Sequence, residues 1–271
     1  MSATVQTRPA RSPAQRYRHS LWLLTTRDLK VRYSTSFLGY FWSILDPLVM
    51  AAIYWVVFTQ IFHRGRVGEE PYIVFLLTAL LPWTWFNGVV SDSTRAFTKE
   101  AKLIRSTKIP RSIWISRLVL SKGIEFVVSI PVVIAFSLVS LLTTTPAHLH
   151  WQVVFVPIAV VMEAALALGC GLIVAPLTVF FRDLERAIKL GLRFLFYASP
   201  IVYGLEQVSG TLRGILAFNP ISGIFSLYRS AFFPKELDWF DVGISGIMTA
   251  IILVVGILVF RRTVPTVLKE I

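Results

Sequence analysis

Two acidic residues stand alone in long apolar stretches of the sequence: Asp46, which precedes Pro47, and Glu163. An ionisable group inside a membrane segment is costly to bury, so each is a candidate proton relay or ion site. Each also has a purely structural explanation. Asp46 can bond backbone groups freed by the proline kink, and Glu163 can stay neutral and pair with a neighbouring helix. The sequence leaves both interpretations open.

Other residues that could do chemistry are too few or too scattered to form a site. No Gly-Lys dipeptide occurs, so the chain has no phosphate-binding P-loop and cannot hydrolyse ATP alone. His148 and His150 lack a third ligand nearby in the sequence, which argues against a zinc site. The single cysteine, Cys170, has no neighbouring base, and neither a Ser-His-Asp set nor paired catalytic carboxylates occur. We expect a transport subunit that has no catalytic residue and binds no metal or cofactor itself.

The composition predicts an all-α polytopic membrane protein. The chain is 55% hydrophobic and only 15% charged, and about 20 apolar residues in a helix cross a bilayer core about 30 Å thick. The predicted spans are residues 37–62, 72–94, 113–141, 153–181, 187–207 and 240–260. The fifth is the weakest because its apolar part is short and carries Arg193. A re-entrant or broken helix is the alternative there.

The distribution of cations favours six crossings. That arrangement places 22 of the 27 Lys and Arg residues on the side of the amino terminus and 5 on the other side. Since positively charged loops stay in the cytoplasm, we expect six helices with both termini cytoplasmic. The net charge of +12 then reflects membrane topology, and we expect no nucleic-acid partner.

The part before the first span divides into two segments. Residues 1–16 are basic and predicted to be mobile, and residues 17–36 are predicted to form a cytoplasmic helix lying at the membrane interface. Residues 37–271 form the membrane domain. Leu38 and Gly39 predict a sharp turn at the membrane surface. The interfacial helix either docks a partner or only anchors the chain.

The loop at residues 91–111 is a second candidate docking element. Phe97, Ala101 and Ile104 form an apolar stripe among basic residues, and Pro110 ends the pattern. A solvated basic loop would explain the charge but not the stripe, so we expect this segment to dock a protein.

An amphipathic segment on the outer side, residues 221–233, is too short to span. We expect it to lie flat on the outer leaflet or to re-enter the bundle, either as a surface element or as a lid on a pathway. The residues assigned to this outer lid are Ile221, Ile224, Phe225, Tyr228, Arg229 and Phe232.

Short motifs spread along the chain from residue 20 onward. They are Arg27-Asp28-Leu29-Lys30-Val31-Arg32-Tyr33, Ser36-x-Leu38-Gly39-x-x-Trp42-Ser43-x-Leu45-x-Pro47-Leu48, Leu103-Ile104-Arg105, Ile109-Pro110-Arg111, Phe181-Arg182-Asp183-Leu184, Ser199-Pro200-Ile201-x-Tyr203, Asn219-Pro220 and Tyr228-Arg229. Together they resemble the membrane permeases of polysaccharide and polyol-phosphate ABC exporters, of the O-antigen and teichoic-acid type. Ser34-Thr35 departs from the family, which commonly has a Lys and a polar residue there. More narrowly, the chain resembles the permease for lipid-linked galactan.

The resemblance implies a homodimer in the bacterial inner membrane, with two separate ATPase subunits that bind ATP and Mg. It would move a polyprenyl-diphosphate-linked glycan to the outer leaflet. Residues expected to dock the ATPase are Arg27, Asp28, Lys30, Arg32, Leu38, Gly39, Lys102, Leu103, Ile104, Arg105, Lys108 and Arg111. Cations expected near the diphosphate headgroup are Arg27, Arg32, Arg182 and Arg193. Aromatic residues expected along the glycan path are Phe41, Trp42, Phe194 and Tyr197.

Two other classes remain open. A proton-coupled secondary transporter would use Asp46 or Glu163 as its relay. A membrane-embedded glycosyl or acyl transferase would need convergent catalytic residues, which the sequence does not show.

Overall fold

The computed structural model describes residues 12–34, 37–61, 68–107 and 109–270. Within those ranges the regular secondary structure is helical. The α-helices are α1 Pro13–Tyr33, α2 Trp42–Trp55, α3 Tyr72–Ser93, α4 Ala96–Lys99, α5 Ala101–Ser106, α6 Ile113–Ser140, α7 Val156–Phe180, α8 Leu184–Tyr197, α9 Thr211–Ala217, α10 Ser222–Ser230 and α11 Trp239–Glu270. Short 3₁₀ turns are Gly39–Phe41, Trp151–Phe155, Leu205–Gln207 and Pro234–Glu236, and a π-helical turn, Val56–Ile61, extends α2.

Five helical segments among the described residues are long and apolar enough to cross a membrane. They are Trp42–Thr59, Tyr72–Ser93, Ile113–Ser140, Trp151–Phe180 and Trp239–Val267. The prediction of an all-α polytopic membrane protein is confirmed, but the count of six spans is not. In place of the fifth predicted span lies α8, which has 14 residues and ends at Tyr197.

The first helix, α1, begins earlier than predicted because its first turn is capped. Ser12 and Gln15 form a reciprocal capping box, and Pro13 occupies the first helical position, where its missing N–H costs nothing. Residues 13–16 therefore belong to α1 rather than to a mobile tail. The prediction of mobility for residues 1–11 falls outside the described residues.

The helices gather at two ends of the bundle, which we call the α1 end and the α10 end. At the α1 end, an apolar cluster joins Leu24 of α1, Phe97 of α4, Ile113 of α6, Ala175 of α7 and Val267 of α11. The first and last helices therefore meet at this end. The α10 end contains α9 and α10, together with the starts of α3, α7 and α11.

The segment between α7 and α11 passes from one end of the bundle to the other. Near its start, Glu185 of α8 accepts a hydrogen bond from Arg95 Nε at 2.8 Å, at the α1 end. After α8, the carbonyl of Val202 accepts a hydrogen bond from Tyr72 Oη at 3.0 Å, at the start of α3. The sixth passage is therefore made by a short helix and the turn that follows it. This explains why the cation distribution favoured six crossings although five segments in the described part of the chain satisfy the length and apolarity required.

Glycines permit a close helix contact between α7 and α11. A Cβ atom at Gly256 would lie 2.5 Å from the carbonyl oxygen of Gly169, and one at Gly169 would lie 2.9 Å from the Leu253 backbone. Side chains cannot fit at those separations, so glycine is required at both positions. The two helices run in the same direction, from the α10 end to the α1 end.

Candidate functional site

Ion pairs fix α1 to the rest of the α1 end. Arg117 Nη1 of α6 donates to Asp28 Oδ1 at 2.6 Å, and Arg117 Nη2 donates to Glu100 Oε1 at 3.4 Å. Arg27 Nη1 lies 3.7 Å from Glu100 Oε2. Burial raises the pKa of the Asp28 carboxyl above its ordinary value, and the adjacent Arg117 guanidinium opposes that shift.

A second set of ion pairs lies further along α1. Arg32 contacts Asp92 at 3.1 Å and Glu125 at 3.4 Å, and Lys122 donates to Glu125 at 3.0 Å. Together the two sets border an open cavity of about 1180 Å³ between α1, α3, α4 and α6. Two cations predicted for the headgroup, Arg27 and Arg32, line this cavity, but both already contact carboxylates. An anionic headgroup would have to compete with those carboxylates.

The second docking element consists of two short helices rather than one extension. The chain bends at Glu100, between α4 and α5, while Phe97 and Ile104 are buried as the apolar stripe predicts. Lys102 and Arg105 point outward and are exposed. They remain available for a charged partner surface.

The other predicted docking residues have varied surroundings. Lys30 is exposed, and Leu103 is half-buried. Arg111 donates to the carbonyls of Thr107 and Ile109, so it closes its own loop. Lys108 lies outside the described residues.

The turn predicted at Leu38 and Gly39 is present. Gly39 has a φ of +51° and begins a 3₁₀ turn that leads into α2. A Cβ atom there would meet no atom within 4 Å. Only the backbone conformation therefore demands glycine at this position.

A groove of about 490 Å³ lies between α2, α3 and α8. Its aromatic residues are Tyr54, Trp83, Phe196 and Tyr197, and the Phe196 ring lies 5.8 Å from that of Tyr54 and 5.6 Å from that of Trp83. Lys189 and Arg193 add positive charge to the wall. The groove thus combines flat aromatic faces with cations, as a path for a sugar chain bearing phosphate would require.

The structure brings together only part of the predicted glycan path. Tyr197 lines the groove, whereas Phe41 and Trp42 lie at the start of α2 and Phe194 is 74% exposed, outside the lining. Arg193 belongs to the groove, and Arg182 is an exposed residue of the α7–α8 turn. The four predicted headgroup cations therefore do not form a single cluster.

A link between α8 and the turn after α3 lies near the α1 end. Arg95 donates to Glu185, and Lys189 Nζ donates to the same carboxylate at 2.7 Å. These hydrogen bonds lower the pKa of Glu185 to about 2. Because its pKa is depressed, the Glu185 carboxylate stabilises this link at any pH above the ordinary carboxyl pKa. The stabilisation is lost as the pH falls below that value toward about 2.

The predicted outer lid re-enters the bundle. Every residue of α10, Ser222–Ser230, is buried, and a Cβ atom at Gly223 would lie 2.3 Å from the Asp241 carbonyl oxygen of α11. Of the six lid residues, Phe232 alone is only partly buried, and it follows the helix. The alternative of a helix lying flat on the outer leaflet is wrong, because small residues on the second face let α10 pack tightly between α3, α7 and α11.

Arg229 holds the turn after α8 in place. Its guanidinium lies 3.6 Å from the centre of the Phe75 ring, Nη2 donates to the Ile201 carbonyl at 2.8 Å, and Nη1 lies 3.5 Å from Glu236 Oε2. The side chain is 1% exposed. Arg229 is therefore a buried structural cation rather than a surface residue of a lid.

The two isolated acids differ. Glu163 Oε2 accepts a hydrogen bond from Tyr228 of α10 at 2.7 Å, which agrees with the structural explanation of a carboxyl group paired with another helix. Asp46 is exposed on α2. No group of three His, Cys, Asp or Glu residues in the described part of the chain is placed to hold a metal ion.

Comparison with known proteins identifies the family. The sequence profile of the ABC-2 type transporters matches residues 19–233. The chain belongs to the ABC-2 type transporter family. The resemblance to ABC exporter permeases is thus confirmed, and this ABC-2 permease is a multi-pass membrane protein.

Three relatives are similar to this ABC-2 permease over most of their length. The O-antigen export system permease protein RfbA of Klebsiella pneumoniae is 34% identical over 242 residues, covering 89% of this chain and 91% of the relative. The protein of the same name from Myxococcus xanthus is 29% identical, covering 82% and 83%. The polysialic acid transport protein KpsM of Escherichia coli is 24% identical, covering 93% and 96%.

Sequence reasoning missed the residues that depend on distant contacts. Arg117 was counted as one cation of an inner loop, and Tyr54 and Trp83 were not assigned to the path. One signal was available for Arg117: an arginine inside an apolar helical run requires a partner. The alignment of aromatic residues from three helices has no comparable signal in the sequence.

Proposed function

We propose that this ABC-2 permease is the membrane subunit of an ATP-driven exporter for a lipid-linked polysaccharide. The similarity to O-antigen export permeases across 89% of the chain carries the proposal. The lack of a P-loop in the sequence requires ATP hydrolysis, with its ATP and Mg, to occur in a separate subunit.

The proposal places the α1 end in the cytoplasm of a bacterium and the chain in its inner membrane. Cations support this orientation, since the described Lys and Arg residues concentrate at the α1 end, in α1, α4, α5, the first turns of α6, the turn after α7 and the end of α11. The α10 end then faces outward. Both termini are cytoplasmic in this orientation.

The ATPase subunit would dock on the exposed face of α5 and the neighbouring part of α1. Lys102 and Arg105 are exposed there, and an open cavity of about 840 Å³ beside them is lined by Arg27, Lys99 and Leu103. The basic residues of this lining, with Leu103 between them, suit a partner that presents acidic residues around an apolar contact.

The groove between α2, α3 and α8 would carry the glycan. Aromatic faces of Tyr54 and Tyr197 would stack weakly on successive sugar rings, and Arg193 with Lys189 would meet the diphosphate. Only 11% of the residues in the segment Trp42–Thr59 are buried. A second copy of the chain would cover this face and complete the path as a homodimer. The resemblance favours lipid-linked galactan as the glycan.

Depletion of the permease in its host tests the proposal. We expect lipid-linked glycan to accumulate on the inner leaflet, measured by mass spectrometry and by its protection from an externally added glycosidase, with recovery on re-expression. Normal export after depletion would contradict the proposal. Export that persists with an inactive ATPase but stops when the proton gradient is collapsed would favour a secondary transporter instead. Glycosyl or acyl transfer by the purified chain alone would favour a transferase.

A further inference from the structure

A buried arginine joins three elements at the α1 end. Arg117 lies on the second turn of α6 and is 3% exposed. Its two terminal nitrogens donate to carboxylates on different helices, Asp28 of α1 and Glu100 at the start of α5. One planar guanidinium, with its fixed fork of donors, therefore sets the position of both helices relative to α6.

The surroundings of this arginine make the junction hard to separate. The guanidinium lies 4.9 Å from the centre of the Trp114 ring, which is fully buried. The Asp28 and Glu100 side chains are only 17% and 14% exposed. Separation would leave charges without water or a partner, which is unfavourable in a poorly hydrated site.

Apolar packing surrounds the junction but does not fix its register. Leu24, Phe97, Ile104, Trp114 and Leu118 belong to one cluster that connects α1, α4, α5 and α6. Apolar contacts are non-directional, so they allow the helices to slide. The ion pairs of Arg117 are directional, so they fix the positions of α1 and α5 along α6.

The geometry points to Arg117 as a positioning residue that makes α1, α5 and α6 move as one unit when the ATPase subunit pushes on them. This inference rests on the proposed function. Force applied at Lys102 and Arg105 would reach α6 through Glu100 and Arg117, and reach α1 through Asp28. If these ion pairs were broken, the ATPase subunit could hydrolyse ATP without moving the membrane helices.

Charge exchange between Asp28 and Arg117 tests this role. The permease and its ATPase subunit are reconstituted in vesicles, and the ATP hydrolysed per glycan exported is measured. Asp28→Arg or Arg117→Asp alone places like charges in contact, and we expect this ratio to rise about tenfold. The combined exchange restores an opposite pair between α1 and α6 but leaves a carboxylate facing Glu100. We therefore expect a ratio below that of either single variant, without full return to wild type.

The control is Arg18→Asp, which makes the same charge reversal on an exposed side chain of α1. We expect it to leave the ratio unchanged. A spin label at Ser106→Cys in α5, with Cys170→Ala, provides a second measurement in the permease alone. Label mobility is expected to rise in Arg117→Asp and to stay raised in the exchange, which does not restore the link to Glu100.

If either reversal prevents membrane insertion, Arg117→Lys, Asp28→Asn and Glu100→Gln replace it, and we expect a smaller rise in both measurements. Wild-type ratio and label mobility in the inserted single variants would overturn the role of Arg117. So would a folded exchange variant that is no better coupled than either single variant. Failure of wild-type export with ATP would contradict the proposed function instead, and label mobility would then decide the role of Arg117.

Discussion

At the scale of single residues, Glu163 of α7 distinguishes an ATP-driven exporter from a proton-coupled secondary transporter. Glu163 is 2% exposed and bonded to Tyr228 of α10, so it connects α7 to the re-entrant segment. An exporter driven by an ATPase needs no proton relay in this position. A secondary transporter would need one.

Glu163→Gln tests this distinction, because glutamine keeps the shape and an oxygen that can accept the Tyr228 hydroxyl. We expect export at close to the wild-type rate across pH 6 to 8, measured with labelled lipid-linked glycan. Tyr228→Phe should cost about 1 to 3 kcal/mol of unfolding free energy by leaving the carboxyl group without its donor. Abolished export in an inserted Glu163→Gln variant would support a relay and contradict the structural role.

The buried cation of α10 gives a prediction about stability. Arg229→Ala removes the hydrogen bond to the Ile201 carbonyl and the ion pair with Glu236. We expect the free energy of unfolding in detergent to fall by about 3 kcal/mol. Lys235→Ala, at an exposed position of the same region, is the control and should change it by less than about 0.5 kcal/mol. Equal effects of the two variants would show that Arg229 is not a structural centre.

At the scale of elements, the turn between α1 and α2 depends on one backbone conformation. Gly39→Val forces a β-branched residue to a φ of +51°, at a cost of about 1 to 3 kcal/mol. A Cβ atom added at this position would meet no atom within 4 Å. The substitution should therefore change the backbone angle between α1 and α2, and hence the coupling to the ATPase subunit, rather than the packing. We expect ATP hydrolysis that no longer responds to glycan. Gly39→Asn, which tolerates this conformation better, should retain a partial response, and wild-type stimulation in Gly39→Val would exclude the idea.

The docking face of α5 makes a separate prediction. Lys102→Glu with Arg105→Glu reverses two exposed charges, so it should weaken co-purification of the ATPase subunit about tenfold or more while membrane insertion stays intact. The matched control is Arg16→Glu with Arg18→Glu, two exposed positions on α1. Undiminished recovery of the ATPase with the α5 variant would place the docking face elsewhere.

The aromatic groove gives a third prediction at this scale. Tyr197→Ala removes a face that lines the groove, whereas Trp42→Ala removes one that does not. Loss of one stacking contact is expected to slow export about three- to tenfold. Trp42→Ala should have a smaller effect, seen as altered stability if it serves as a membrane anchor. A larger export defect in Trp42→Ala would indicate that the path runs along the start of α2.

The sequence predicted those features that depend on residues close together in the chain. The stripe of Phe97 and Ile104 predicted a buried face, and Gly39 predicted a turn, because both follow from spacing or backbone freedom within a few residues. The Asp28–Arg117 pair spans 89 positions, and nothing in the sequence shows which of many cations a carboxylate will meet. The sequence left open whether the segment of Arg229 lies on the surface or re-enters the bundle, and the burial of Arg229 likewise depends on distant contacts.

At the scale of the whole molecule, the two ends have different tasks. The α1 end gathers residues of the first and last helices, the network of ion pairs and the exposed cations of α5, while the α10 end is closed by a buried re-entrant helix. Between them, the passage through α8 replaces a full span. Its charged residues, which made the fifth span doubtful in the sequence, line a groove in the structure.

Transport by purified components tests the central claim most directly. The permease and its ATP-binding subunit are reconstituted in vesicles with fluorescent lipid-linked glycan, and the fraction of glycan that crosses to the opposite leaflet is measured with and without ATP. The account predicts crossing that requires ATP hydrolysis, fails with a non-hydrolysable analogue and is insensitive to a collapsed proton gradient. Crossing that proceeds without the ATP-binding subunit, or follows the proton gradient, would contradict it.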